Sequence, residues 1–288
     1  MSTRTRRIVR PFVGQGPVIR AAWILLLVVA MLSVVGPLTP WLDPYATSTS
    51  RILDAPSWDH WLGTDGAGRD VFARVLVGAR TSLLVGVASV TVLVSIATLT
   101  GATAGYFGGW VDALLSRLID ALLSIPLLLL VTVFIALLRP GVLTVILVIG
   151  LLGWPATARV IRAETLSLRQ RPFVAASRLS GMTDRQILIH HVMPNLGPVL
   201  VVATSLGLGT AILMESTISF LGLGIRPPTA SLGSIVSLAL DPGAFRSASW
   251  IWLPGSVVLA GIVIAVNLIG DSLRHLLDPT NQRGSHDD

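Results

Sequence analysis

Six stretches of this chain, residues 21–42, 83–105, 118–138, 142–158, 196–224 and 251–269, are almost wholly apolar. Each reaches or approaches the roughly 20 residues that a helix needs to cross a bilayer. Backbone groups in hydrocarbon find no water, so segments of this kind close their own hydrogen bonds as helices. Of the 288 residues 52% are hydrophobic and only 12% charged, too few charges to cover a water-soluble surface. The expectation is an all-α, polytopic membrane protein with six transmembrane helices.

Six crossings put both termini on one side, and the arginines choose that side. Fourteen of the 21 fall on the face shared by the termini, against seven on the other. Both termini are therefore predicted to be cytoplasmic. The chain then divides into a basic tail (1–20), a first transmembrane helix (21–42), an extracytoplasmic segment (43–80), a main transmembrane domain (81–280) with a cytoplasmic loop at 159–195, and a second tail (281–288). The first apolar run is too long for a cleavable signal, and it ends in Pro37, Pro40 and Trp41 without a small-residue cleavage site, as an anchor does.

Composition also excludes chemistry. Every basic residue is arginine, so the P-loop lysine of a nucleotide-binding site and any Schiff base are ruled out; if ATP powers this protein, another chain hydrolyses it. Cysteine is absent, which removes thiol nucleophiles and thiolate metal sites. The arginines sit at the ends of apolar runs instead of along one basic face, so nucleic acid is not an expected partner. His190 and His191 are adjacent and cannot share a helix face, so no metal site is expected.

Three local patterns carry information beyond the spans. A polar and glycine-rich cluster, Gly63, Thr64, Asp65, Gly68, Arg69 and Asp70, opens directly into the second span and suits a tight, hydrogen-bonded turn. Gly101 and Gly105 have the small-xxx-small spacing that lets helices approach closely in lipid. In the cytoplasmic loop, Pro172 suits the first turn of a helix that Ser180 and Gly181 end. Thr183 and Gln186 then form a capping box, and Met182 and Ile187 a hydrophobic staple, for a second helix before Pro194. The first of these helices offers Phe173, Val174, Ala176 and Leu179 to a groove in a soluble domain. Between spans five and six, residues 232–240 are apolar but too short to cross.

These patterns resemble the C-type permease subunits of dipeptide and oligopeptide ATP-binding-cassette importers. LGTDxxGRD followed by RVLxGARxSLLVG is similar to that family's signature, as are GYFGGWVD, ESTISFLGLGIRPP and NLIGDSLRHLLDP further on. The 159–195 loop resembles the family's EAA loop, with Gly181 and Pro194 at the family spacing. Ala176 matches its first alanine, while Ala175 replaces the usual glutamate, Ser177 the second alanine and Met193 a leucine.

The resemblance implies a type I importer permease fold and an ATPase-coupling loop built on Phe173, Val174, Ala175, Ala176, Ser177, Leu179, Gly181 and Pro194. It also implies a second, homologous permease, two ATPase domains that bind ATP and Mg, an extracytoplasmic substrate-binding protein, and no cofactor in this chain. The cargo would be dipeptides or oligopeptides; nickel complexes, glutathione or another small solute are the alternatives.

Glu215, one of two glutamates, lies inside the fifth span. A carboxyl at that depth is costly unless paired, protonated or wet, so it is assigned to gating or assembly ahead of substrate binding. Asn267 is interhelical glue or part of the path. Asp65, Arg69 and Asp70 form either a contact for the binding protein or a self-contained turn. A proton-coupled secondary transporter using Glu215 would show inverted repeats, which are not evident. An intramembrane enzyme would need a nucleophile, paired aspartates or metal ligands at membrane depth, and none is evident.

Overall fold

The computed structural model describes residues 16–36, 39 and 42–277. Most of the N-terminal basic tail, Pro37, Pro40, Trp41 and the C-terminal tail lie outside the described residues. Most of the described chain is helical; residues 42–70 form turns and loops, and the lone β-bridge among the described residues joins Thr64 to Asp70.

Among the described residues, five helices are long and apolar enough to span a membrane: α1 (Pro17–Val35), α2 (Val71–Phe107), α5 (Val142–Arg169), α9 (Gly197–Phe220) and α12 (Leu253–Leu277). A bent helix pair adds a sixth crossing if its two halves count as one span. Where the hydropathy pattern predicts one helix over 118–138, α3 (Gly109–Leu123) and α4 (Leu127–Leu137) meet at an 81° bend. Pro126 causes it: proline brings no N–H to continue the ladder and drives the preceding residue out of helical geometry. Pro198 lies instead in the first turn of α9, and Pro155 is accommodated inside α5.

Two spans are longer than their apolar cores. At 37 residues α2 is about 55 Å long, against a hydrocarbon core of about 30 Å. It begins at Val71 because the Asp70 side chain accepts from Ala73 N (2.8 Å) and caps the first turn, although Arg74, Arg80, Thr81 and Ser82 interrupt the hydropathy there. At the other end of the bundle α5 runs on to Arg169 and carries Arg159 and Arg162 out of the apolar layer. Arg162 forms a forked ion pair with Asp112 of α3.

The two long helices lie side by side, and Gly101 and Gly105 are the reason. A Cβ on Gly101 would sit 2.6 Å from the Ala158 carbonyl oxygen, and one on Gly105 2.7 Å from that of Arg162. Ala158 and Arg162 are four apart, so glycines of α2 meet one face of α5 backbone to backbone. Below this seam a buried cluster of Tyr106, Ile119, Ile161, Leu168, Val174 and Ile187 roots the segment after α5. At the opposite end Val71, Val75, Ile212, Leu232, Ile235 and Ile262 gather around α10 (Leu232–Val236), which dips between α2, α9 and α12. The first helix leans on α12 through Ala22, Ala265 and Ile269.

Candidate functional site

Three sites sit at different heights of this bundle. After α5, the chain forms α6 (Pro172–Leu179) and α7 (Asp184–Ile187), then a π-turn (Leu188–Val192) and the short α8 (Met193–Asn195), which contains Pro194. Local chemistry dictates the break between α6 and α7. Gly181 takes φ +80°, its N–H donates to Arg178 O (3.0 Å), and Met182 N donates to Ser177 O (3.2 Å), the paired bonds of a Schellman end. Thr183 then exchanges bonds with Gln186, accepting from its backbone N–H (3.4 Å) and donating its own N–H to the side chain (2.9 Å).

The outward face of α6 differs from the one expected. Val174 is wholly buried and not available to a partner, while Phe173 is half-buried against the same core. Helical periodicity turns Ala175 outward beside Ala176 and Leu179 of the expected face, and Leu179 is 90% exposed. Ser177 is half-buried and its hydroxyl returns to Phe173 O (2.9 Å). The result is a capped, rigid helix pair anchored from behind, presenting small side chains and one apolar tip.

Near the other end of the membrane, Glu215 of α9 is completely buried. Ser82 of α2 donates to its Oε2 (2.7 Å), Ser219 donates to Oε1 (2.8 Å), and Ser216 lies 3.4 Å from Oε2. The same hydroxyls accept in turn: Ser82 Oγ from Leu232 N–H (3.2 Å), Ser219 Oγ from Ile225 N–H (3.4 Å). One carboxyl thus fastens α2, α9 and the start of α10 together. Gly233 of α10 is pressed on this node, where a Cβ would lie 2.5 Å from Ser216 O. Sequence reading singles out Glu215 but misses its partners. Ser219, four residues on, carried a signal in its spacing; Ser82 carried none.

Asn267 is not part of this node. It lies on α12 against Gly209, a position where a Cβ would be 3.1 Å from Asn267 Oδ1. Gly209 precedes Glu215 by six residues, roughly 9 Å along α9.

In the segment before α2, Asp65 is 2% exposed. Its Oδ1 accepts from Ala67 N (2.8 Å) and Arg69 N (3.0 Å), and its Oδ2 from Arg69 Nε (2.8 Å), with Arg74 Nε at 3.3 Å. Thr64 donates to Arg51 O and accepts from Asp54 N (2.9 Å). Gly63 and Gly68 both take left-handed backbone within the turn. Besides capping α2, Asp70 bonds His60 Nδ1 (2.7 Å). The carboxyls of Asp65 and Asp70 are thus engaged inside the turn, and they orient the start of α2. What faces outward beside it is a groove of about 660 Å³, lined by Asp43, Arg51, Asp59, His60, Trp61 and Phe72.

Asp65→Ala would leave the buried Arg74 guanidinium without its counter-charge. The expected cost is about 3 to 5 kcal/mol, seen as a lower melting temperature of the purified protein. Melting within 1 °C of wild type would show that the turn does not depend on this pair.

The family model for binding-protein-dependent transport system inner membrane components matches residues 97–283. The chain is 39% identical to the dipeptide transport system permease protein DppC of Alkalihalophilus pseudofirmus, over 86% of this chain and 81% of that one. It is 35% identical to the oligopeptide transport system permease protein OppC of Mycobacterium tuberculosis, over 98% and 96%. Among solved structures, an inward-facing form of the MetNI methionine ABC transporter superposes with a TM-score of 0.56 at 20% identity, over 72% of this chain and 97% of that chain, which is a likeness of fold. The matched residues and the identities over most of the chain agree, and the chain belongs to the family of binding-protein-dependent transport system inner membrane components, the permease subunits of ABC importers.

Proposed function

We propose that this chain is one of two homologous permeases of a peptide importer in the bacterial inner membrane, with α6 and α7 as its contact to an ATPase. The observation that carries this reading is the outward face of α6. Ala175, Ala176 and Leu179 project from a helix whose other side is locked into the bundle, so a push on that face is delivered to the spans instead of being lost in a loose loop. ATP and Mg are bound by two partner ATPase domains. Ala175, where the family usually has glutamate, leaves the contact resting on shape and apolar area.

The arginines of the α5 end and of the 159–195 loop support a cytoplasmic position for that side, with both termini. The turn around Asp65 and its groove then face the extracytoplasmic substrate-binding protein. Glu215 lies toward that side and acts as the outer gate's fastening: its serine bonds hold α10 between α2 and α9, and outward opening releases them. Asn267 steadies α9 against α12 along the path. The relatives named for dipeptide and oligopeptide transport support peptides as cargo.

The test is cargo-stimulated ATP hydrolysis by the complete complex in liposomes, with dipeptides, oligopeptides, glutathione and a nickel complex offered separately. Peptides should stimulate, and Gly181→Pro should reduce stimulation at least tenfold while the subunits still co-purify. Proline is fixed near φ −65° and cannot adopt the +80° of this turn. Stimulation by glutathione or nickel alone would reassign the cargo. Uptake by this chain alone under a proton gradient would overturn the importer reading.

A further inference from the structure

The helix pair is held to the bundle by apolar packing and by polar contacts to Tyr106 that no part of the mechanism above uses. Tyr106, the penultimate residue of α2, is 1% exposed, and its hydroxyl donates to Asp184 Oδ1 at 2.8 Å. Asp184 is the first residue of α7, next to the Thr183 cap. Arg178 of α6 approaches the same carboxyl oxygen at 3.3 Å and lies 5.8 Å above the Tyr106 ring. Three elements, α2, α6 and α7, therefore converge on one side chain.

We infer that Tyr106 is the positioning residue that makes the coupling helices move as one body with α2, through its hydroxyl bond to Asp184. The inference rests on the ATPase contact proposed above. Apolar packing around Val174 and Ile187 is non-directional and permits sliding, whereas a hydrogen bond to a charged acceptor has a fixed length and direction. The ion pair of Arg178 with Asp184 is not the source of that constraint, because both side chains are about half exposed and surface pairs of that kind hold weakly.

The far end of α2 supplies the consequence. Ser82 lies 24 residues before Tyr106, roughly 36 Å along an uninterrupted helix without proline, and it is the residue that bonds both Glu215 and Leu232 N–H. Immediately after Phe107, Gly108 and Gly109 take left-handed backbone and separate α2 from α3. A displacement of the helix pair is thus passed up α2 to the outer node.

The experiment compares peptide uptake per ATP hydrolysed in the full complex for Tyr106→Phe, Asp184→Asn and Asp184→Ala. Tyr106→Phe keeps the ring and its packing and removes only the hydroxyl. Uptake per ATP should fall at least fivefold with ATPase activity kept, and Asp184→Ala should behave alike. Asp184→Asn retains an oxygen for the hydroxyl and should stay within twofold of wild type.

Because the chain has no cysteine, spin labels at Leu99→Cys and Arg185→Cys report the α2-to-α7 distance directly. That distance should stay single and narrow with and without bound nucleotide, and broaden in Tyr106→Phe. An unchanged uptake-to-ATP ratio together with an unchanged distance distribution in Tyr106→Phe would overturn the inference, as would loss of the ATPases from the purified complex or failure of Asp184→Asn to match wild type. Absence of peptide stimulation in the wild type would sink the peptide cargo alone, since the distance measurement reads the latch without cargo.

Discussion

Glu215→Ala is expected to abolish peptide uptake and to loosen the segment leading into α10. In the native protein both carboxyl oxygens accept from serine hydroxyls at 2.7 and 2.8 Å, and the residue is inaccessible to solvent. Alanine leaves the Ser82 and Ser219 hydroxyls without their acceptor in a buried place, at about 1 to 3 kcal/mol for each unmet group, and adds a cavity. The hydroxyls also receive Leu232 N–H and Ile225 N–H, so the loss propagates into the outer segment.

Hydrogen exchange over residues 225–236 in lipid nanodiscs should accelerate by tenfold or more. Glu215→Gln should fall between, since a carboxamide keeps one acceptor and offers a donor where Ser219 needs an acceptor. Exchange and uptake both within twofold of wild type in Glu215→Ala would remove the residue from the gate.

Gly105→Val should prevent the bundle from closing. Its new Cβ would lie 2.7 Å from Arg162 O and 2.8 Å from Thr165 Cβ, so the α5 backbone itself would have to retreat. Overpacking of this kind costs about 3 kcal/mol, near the upper end of the usual range, because neither contact is the movable end of a side chain. Thermal unfolding of the purified permease should shift downward by several degrees, and Gly101→Leu, against Ala158 O at 2.6 Å, should do the same. Leu99→Ala, on an exposed face of the same helix, is the control and should leave melting unchanged. Normal melting in Gly105→Val would mean that α2 and α5 do not meet along this seam.

Much of this arrangement is legible in the chain, and the legible parts share a cause. The apolar runs that mark the spans, the capping box at Thr183 and Gln186, the left-handed Gly181 and the glycine pair at 101 and 105 each express an interaction between residues close in sequence or a repeat of helical period. The same locality explains the errors. Hydropathy windows read 118–138 as one straight span because they average over Pro126, and they began the second span at 83 because they are blind to an Asp70 cap that starts the helix at 71. Sequence pattern puts the buried Val174 on a docking face because its apolar character is the same whether it faces a partner or its own core.

Sequence alone determined the class of the molecule: several apolar helices, an arginine-rich end, no nucleotide chemistry of its own and a glycine-jointed helix pair. Only the tertiary structure decided which polar groups meet. Ser82 reaches Glu215 across 133 residues, Leu232 N–H reaches Ser82 across 150, and Tyr106 reaches Asp184 across 78. The reason is geometric. Composition and spacing set what each helix face can offer, but the rotation and height at which two faces are packed select the partner, and that selection belongs to the whole bundle.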